Sequence, residues 1–409
     1  MNENNTQNVI PNVDSKSREE RNVPDLRFCE FNDLYQEIQF KNAFKLLRGS
    51  SPRPIIEYIT NNVNDPYWIK IGDMPEYDFI VNCVKEHISL EGAKHSRAVY
   101  KGDMILSNSM SYGKPYILNI DGYIHDGWFV IREYSDHFKR DYLMYILSSP
   151  CVQKRYSQIA AGGVVQNISS DLVNSVKVKI PNKEEQIKVA DFLNKIDVRI
   201  LTQKKIIDLL ESQINQIRKQ LIDNMEQSNV FISLNKIIEE YTNKTNANNM
   251  YPVLSSTKSG IHLQSEYFNK DASSDDTTGY KIIPKGYCTY RSMSDTGEFT
   301  FNIQNVIENG IVSPAYPVFT TKYLNEFVVE YLNNSSKIRN NILSLKEGGT
   351  RFALSLKKLM NLEIPHVTLN EQNEFLKALD KFNIKIKNEK QILSLYEQQK
   401  QYLLDKMFI

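Results

Sequence analysis

Residues 184–225 read EEQIKVADFLNKIDVRILTQKKIIDLLESQINQIRKQLIDNM, and this stretch decides the fold. Val189, Leu193, Ile196, Ile200, Gln203, Ile207, Leu210, Ile214, Ile217 and Leu221 keep a 4-3 spacing with one polar interruption. An apolar residue every 3.5 positions lays a narrow seam along a long helix, and one partner helix satisfies such a seam. The partner lies in the same chain. A shift of about 186 residues gives Phe375, Leu379, Phe382, Ile386, Glu389, Leu393, Tyr396, Lys400, Leu403 and Met407, apolar at eight of the ten positions. Glu389 takes the slot of Gln203, and a polar pair in a seam sets register at some cost in stability. The patterns Asn182-x-x-Glu185 and Thr368-x-x-Glu371 predict a capping box at each start. Helices near 40 residues span about 60 Å each. The link leaving Met225 starts at the far tip of the first helix, so the second must run back along it. The pairing is expected to be antiparallel.

Each helix closes a copy of one globular pattern. Gly162-Gly163 and Lys179-Ile180-Pro181 precede the first, and Gly348-Gly349 and Glu363-Ile364-Pro365 precede the second. A period this long exceeds a solenoid unit and reads as a duplicated domain followed by a rod. The duplication continues inside the domains. Gly102 and Gly113 match Gly286 and Gly297 at an offset of about 184, while Ser107-Asn108-Ser109-Met110-Ser111 faces Arg291-Ser292-Met293-Ser294-Asp295. Shared glycines with divergent neighbours indicate one scaffold presenting two surfaces. Strand-like pieces at Trp68–Ile71, Met104–Leu106 and Trp128–Ile131, with Gly and Pro breaks and a helix over Phe327–Leu332, predict an α+β class. The expected organisation is a polar, disordered arm over 1–24, globular copies over 25–183 and 226–369, and spacer helices over 184–225 and 370–409.

Composition narrows the function classes. The chain has 409 residues, 41% of them hydrophobic, enough for two cores of ordinary size. A net charge of +1 supplies no bulk attraction for polyanions, so any such binding must come from local clusters. Cys29, Cys83, Cys151 and Cys288 are scattered without a zinc-type spacing, which predicts a reduced, cytoplasmic protein. No apolar run reaches the roughly 18 residues of a membrane span, and the N-terminus does not read as a signal peptide.

Catalytic signatures are missing. The chain contains no Gly-x-Gly loop, Walker A loop, Gly-x-Ser-x-Gly elbow or His-Glu-x-x-His pair. Asn64-Asp65-Pro66-Tyr67-Trp68 approaches an amino-methyltransferase motif but lacks its second proline, and the sole Asp/Glu-x-Lys, Asp14-Ser15-Lys16, lies in the polar arm. The sequence predicts a noncatalytic protein that binds no metal or cofactor of its own. Nucleic-acid binding residues are expected at turns where basic or amide side chains have small or aromatic neighbours. In the first copy these are Lys45, Arg48, Ser50 and Arg53, then Lys94 and Arg97, then Asn108, Lys114, Gln166 and Asn167. In the second they are Lys258, Tyr290, Arg291, Ser292 and Arg351. Residues 184–225 carry seven basic and seven acidic side chains, so the rods space while the domains bind.

Taken together, Pro181…Glu185-Gln186…Phe192-Leu193…Ile196-Asp197…Ile200, its echo from Pro365 through Glu371-Gln372, Leu379, Asp380 and Ile386, and Leu404-Asp405-Lys406-Met407-Phe408 resemble the specificity subunit of type I restriction-modification systems. Val23 to Phe28, Gly49-Ser50-Ser51-Pro52, Lys101-Gly102-Asp103 and Gly310-Ile311-Val312-Ser313-Pro314 belong to the same resemblance, which covers the chain after residue 24. It implies two target recognition domains that read the halves of a bipartite, asymmetric site on double-stranded DNA. The helices are then a ruler that docks two methyltransferase subunits, and restriction/translocase subunits join them. S-adenosylmethionine, ATP and Mg would be held by those partners. A single-chain DNA methyltransferase or nuclease, or a coiled-coil scaffold without DNA binding, are the competing expectations. Asn373 and Glu374 depart from the family's usual pattern, Glu389 and Lys400 interrupt the second seam, and the second copy has no counterpart of Tyr67-Trp68, so weaker pairing is expected there.

Overall fold

The structure is a computed structural model that describes residues 9–11, 22–75, 78–109, 113–160, 167–267, 276–344 and 352–409. The glycine pairs at 162–163 and 348–349, and the candidates Gln166 and Arg351, lie outside the described residues. Two compact units emerge, residues 1–205 with 390–409, and residues 206–389. Each unit therefore contains part of both long helices, Lys183–Glu226 and Leu369–Met407.

The first unit is built on a five-stranded sheet in the order Lys45–Arg48, Trp128–Arg132, Met104–Ser107, Pro115–Leu118 and Ile80–Val81. The first four strands pair antiparallel and the last joins in parallel. Side chains alternate across such a sheet. Met104, Leu106, Phe129 and Ile131 enter the larger core with helix Arg140–Ser148, while Ile105, Trp128 and Val130 enter a second core on the opposite face. Both faces are buried, so these strands read as continuous apolar runs. A second five-stranded sheet runs in the order Ile59–Thr60, Glu86–Ile88, Tyr67–Ile69, Gly122–Ile124 and Arg97–Val99. Within the arm, Val9–Pro11 pairs antiparallel with Leu26–Phe28.

The second unit repeats the central part of this plan. Its four-stranded sheet runs Ile238–Glu240, Val318–Thr321, Cys288–Tyr290 and Phe301–Ile303, all antiparallel. Helix Asn325–Asn334 follows the strand Val318–Thr321, as Arg140–Ser148 follows Trp128–Arg132 in the first unit. Equivalence extends to single atoms. The amide of Gly102 donates to Leu118 and that of Gly286 to Gln304, each at 2.7 Å. Both glycines have positive φ, as do Gly113 and Gly297. A Cβ on Gly113 would come 2.7 Å from the buried Tyr156 ring, so that position excludes a side chain by conformation and by packing, while at Gly297, where the near atom ends the exposed Leu343 side chain, the positive φ disfavours one.

The seam is buried within each unit. Val189, Leu193, Ile196 and Ile200 join Leu403, Leu404, Met407 and Phe408 in the first core, and Ile214 and Ile222 join Phe375 and Leu379 in the second. In the first unit Lys400 bonds Asp197 at 2.5 Å and Lys204 bonds Glu397 at 2.8 Å. The numbering rises on one helix as it falls on the other, which is the antiparallel pairing expected. Ile207 and Leu210 are buried, Ile217, Phe382, Ile386 and Leu393 half-buried. Lys400, the expected break in the seam, is instead a partner for Asp197, its ammonium lying 4.7 Å from the Phe79 ring centre. Gln203 is buried and Glu389 half-buried.

The two helix starts differ. At the second, Thr368 Oγ1 accepts from Glu371 N while Glu371 Oε2 accepts from Thr368 N, completing the box. At the first, Asn182 Oδ1 caps Glu185 N at 3.0 Å, but the Glu185 carboxylate turns inward and accepts from Arg27 and Tyr35. A buried guanidinium, unseen from local spacing, draws the carboxylate away from the reciprocal bond.

Candidate nucleic-acid interface

In the first unit the candidates gather around a residue absent from the sequence-based set, Asp126. Its carbonyl accepts from Arg48 Nε at 3.3 Å and Asn108 Nδ2 at 2.9 Å, and its carboxylate from Ser51 Oγ at 3.1 Å and Arg53 at 3.2 Å. Arg97 Nε donates to the carbonyl of Arg48 at 3.1 Å, bringing a third guanidinium to the same place. Burial pushes the Asp126 carboxyl up, but hydrogen bonds from its own backbone and Ser51, with the charge of Arg53, win and hold it below the usual range. His125 is pushed down by burial, against the pull of Asp126, and its Nδ1 accepts from Gly127 N at 2.8 Å. A neutral, tautomer-fixed imidazole thus shapes the turn that carries Asp126. His125-Asp126-Gly127 is an Asp-Gly turn signal flanked by a strand, and that signal could have found the hub.

The other candidates separate. Arg53 is 82% exposed, so its ion pair with Asp126 is easily exchanged for another anion. Lys45 pairs with Glu133 and Lys94 with Glu91, both on the surface. Ser50 is half-buried and Asn167 exposed, the latter beside Ile168, whose amide donates to Asn108 O. Lys114 faces the helices instead: it lies 5.2 Å from the Tyr116 ring centre in a groove shared with Asp197, Lys204 and Lys400. Asn108 is corrected to a scaffold residue, since it is 3% exposed and its amide is engaged by Asp126.

In the second unit Lys258 and Arg291 line one polar groove of about 260 Å³ with Ser256, Ser294, Asp295 and Glu298. Glu298 accepts from Lys258 at 3.2 Å and Arg339 at 2.7 Å, and those bonds hold its carboxyl below the usual range. Ser292 is half-buried, its carbonyl accepting from Leu354 N at 2.9 Å. Tyr290 is also corrected. It is fully buried against Phe301 and Phe319, and its hydroxyl donates to Leu354 O at 3.1 Å. Among the described residues no group of His, Cys, Asp and Glu could hold a metal ion, and no helix is long and apolar enough to cross a membrane.

A repeated sheet-and-helix scaffold that keeps its glycines but changes the polar groups beyond them, twice closed by a long paired helix, defines a duplicated recognition module. A sequence model of the family described as the type I restriction modification DNA specificity domain matches residues 32–227 and again 221–398. The chain belongs to that family, and it is a DNA specificity subunit of a type I restriction-modification system. Its fold is similar to that of a type I restriction-modification system S subunit from M. genitalium, with 16% identity, a TM-score of 0.51, and coverage of 95% of this chain and 99% of the other. It is also similar to a chain from a structural study of complex assembly and conformational transition of the type I R-M system, with 14% identity, a TM-score of 0.56, and coverage of 91% and 97%.

Proposed function

We propose that each globular copy reads one half of a bipartite, asymmetric site on double-stranded DNA and that the paired helices set the distance between the halves. The observation that carries this reading is the equivalence of scaffold atoms combined with divergence of the polar groups they present: Ser107 and Asn108 are buried, whereas Arg291 at the Ser107 position is exposed. Arg48, Arg53 and Arg97 suit phosphate contacts in the first copy, and Lys258 and Arg291 face DNA in the second. The working boundaries remain 25–183 and 226–369 for the recognition domains and 184–225 and 370–409 for the spacers. Val198 and Leu395 in the first unit, and Leu209 and Ile384 in the second, are exposed apolar side chains on the long helices, suited to docking one methyltransferase subunit on each unit. Those subunits would supply S-adenosylmethionine and the chemistry, and restriction/translocase subunits would bring ATP and Mg, leaving this chain noncatalytic. The assembly acts in the cytoplasm.

The test is an insertion of four residues near Thr202 in the chain paired with its methyltransferase. Mapping methylated motifs should show both half-sites unchanged and the gap altered. A gap of unchanged length overturns the ruler.

A further inference from the structure

We propose that Arg291 reads a guanine in the half-site recognised by the second copy; the inference rests on the DNA-reading function above. Arg291 is exposed and has no hydrogen-bond or ion-pair partner among the described residues. The other candidate arginines among the described residues differ, for Arg48, Arg53 and Arg97 each donate to a protein oxygen. Its backbone is nonetheless held on both sides. Tyr290 is locked in the core, the Ser292 carbonyl accepts from Leu354 N, and Met293 pairs with Ala353. A guanidinium on a fixed backbone forms its fork of bonds with less loss of freedom than one on a loose loop.

The repeat sharpens the assignment. At the same sequence offset from the positive-φ glycine, the first copy has Ser107, which ends its strand, is 1% exposed and is bonded to Lys114. One copy uses this position for the fold, and the other presents five N–H donors there. The surroundings favour a base over a phosphate. A phosphate track needs cations in series, whereas the other cation of the groove, Lys258, is already engaged by Glu298, and Asp295 adds a negative charge to the lining. A guanine fits such an unengaged guanidinium, because its O6 and N7 both accept from the fork.

The experiment uses the full chain, as the natural protein and as Arg291→Ala and Arg291→Lys, to select from duplexes with both half-sites randomised. The natural protein should recover a bipartite motif, and its failure to do so would overturn the DNA-reading function itself and this inference with it. Arg291→Ala should lose the preference for guanine at one position of one half-site, by roughly ten- to a hundredfold, with the other half-site and the gap kept. Arg291→Lys should relax the same position, since a lysine keeps the charge without the fork. If instead the motif is unchanged and both variants weaken binding to every sequence equally, Arg291 contacts phosphate and the proposal falls. Relaxation at both half-sites would overturn it as well. Unaltered circular dichroism of the variants would show that any change is not one of folding.

Discussion

Glu185 is fully buried and accepts from Arg27 at 2.8 and 2.7 Å and from the Tyr35 hydroxyl at 2.8 Å. Burial drives the Tyr35 hydroxyl far above its ordinary range, so it remains a donor to this carboxylate at any physiological pH. A buried pair contributes little compared with apolar packing, but removing one member strands the other. Glu185→Gln should therefore destabilise the first unit by about 3–5 kcal/mol. Both tryptophans, Trp68 and Trp128, belong to that unit, so urea unfolding followed by their fluorescence reads it directly. A loss within about 0.5 kcal/mol, typical of surface changes, would show that the ion pair supports nothing. His125 gives a pH prediction with a definite sign. Its folded pKa lies below the unfolded value of about 6.5, so the unfolded chain binds the proton better. The stabilisation is complete above about pH 6.5 and declines as the pH falls below it. Protonation also removes the acceptor that Nδ1 offers to Gly127 N. Stability of the first unit should drop between pH 7.5 and 5.5, and His125→Asn should flatten that drop. Equal slopes in the two proteins would remove His125 from the account.

The element that joins rod to domain is a glutamine in the first turn of each long helix. Gln186 Oε1 accepts from Lys139 N at 2.8 Å, and Gln372 Oε1 accepts from Leu324 N at 2.8 Å. Lys139 and Leu324 are the N-cap residues of the equivalent internal helices, and neither side chain caps its own helix. Each glutamine returns its amide to the chain before its own helix, Gln186 to Pro181 O and Gln372 to Val367 O. Losing such a buried bond costs about 1–3 kcal/mol. Gln186→Ala and Gln372→Ala should thus speed hydrogen exchange at the Lys139 and Leu324 amides respectively; an unchanged rate at either would show that its cap is redundant. These glutamines were visible in the sequence only as part of the helix openings. Periodicity made the seam legible, and the shared glycines were legible because positive φ restricts the residue type. The scaffold roles of Asn108 and Tyr290 are not legible, because the acceptors of their side chains, Asp126 and Leu354, are distant in sequence. Lys400 read as a defect because its acid, Asp197, lies on the other helix. Helical spacing finds which face is buried, but not which charged group the opposing element brings to it.

At the scale of the whole molecule, a net charge of +1 means that attraction to DNA must come from local fields. The chain concentrates one of them where Arg48, Arg53 and Arg97 meet around the single carboxylate of Asp126. Exchanging an exposed Arg53–Asp126 pair for a phosphate costs little, because surface ion pairs are worth about 0–1 kcal/mol. Each phosphate neutralised releases counterions and steepens the salt dependence of log K by about 0.9. Replacing Arg53 and Arg97 by alanine should therefore weaken binding to matched and mismatched duplexes alike and reduce the salt slope by about 2. The selected motif should stay the same, because phosphates carry no sequence information. Filter binding over a series of salt concentrations measures the slope, and selection from randomised duplexes measures the motif. A changed motif with an unchanged slope would make these arginines base readers. The first copy would then use these guanidinium groups for recognition.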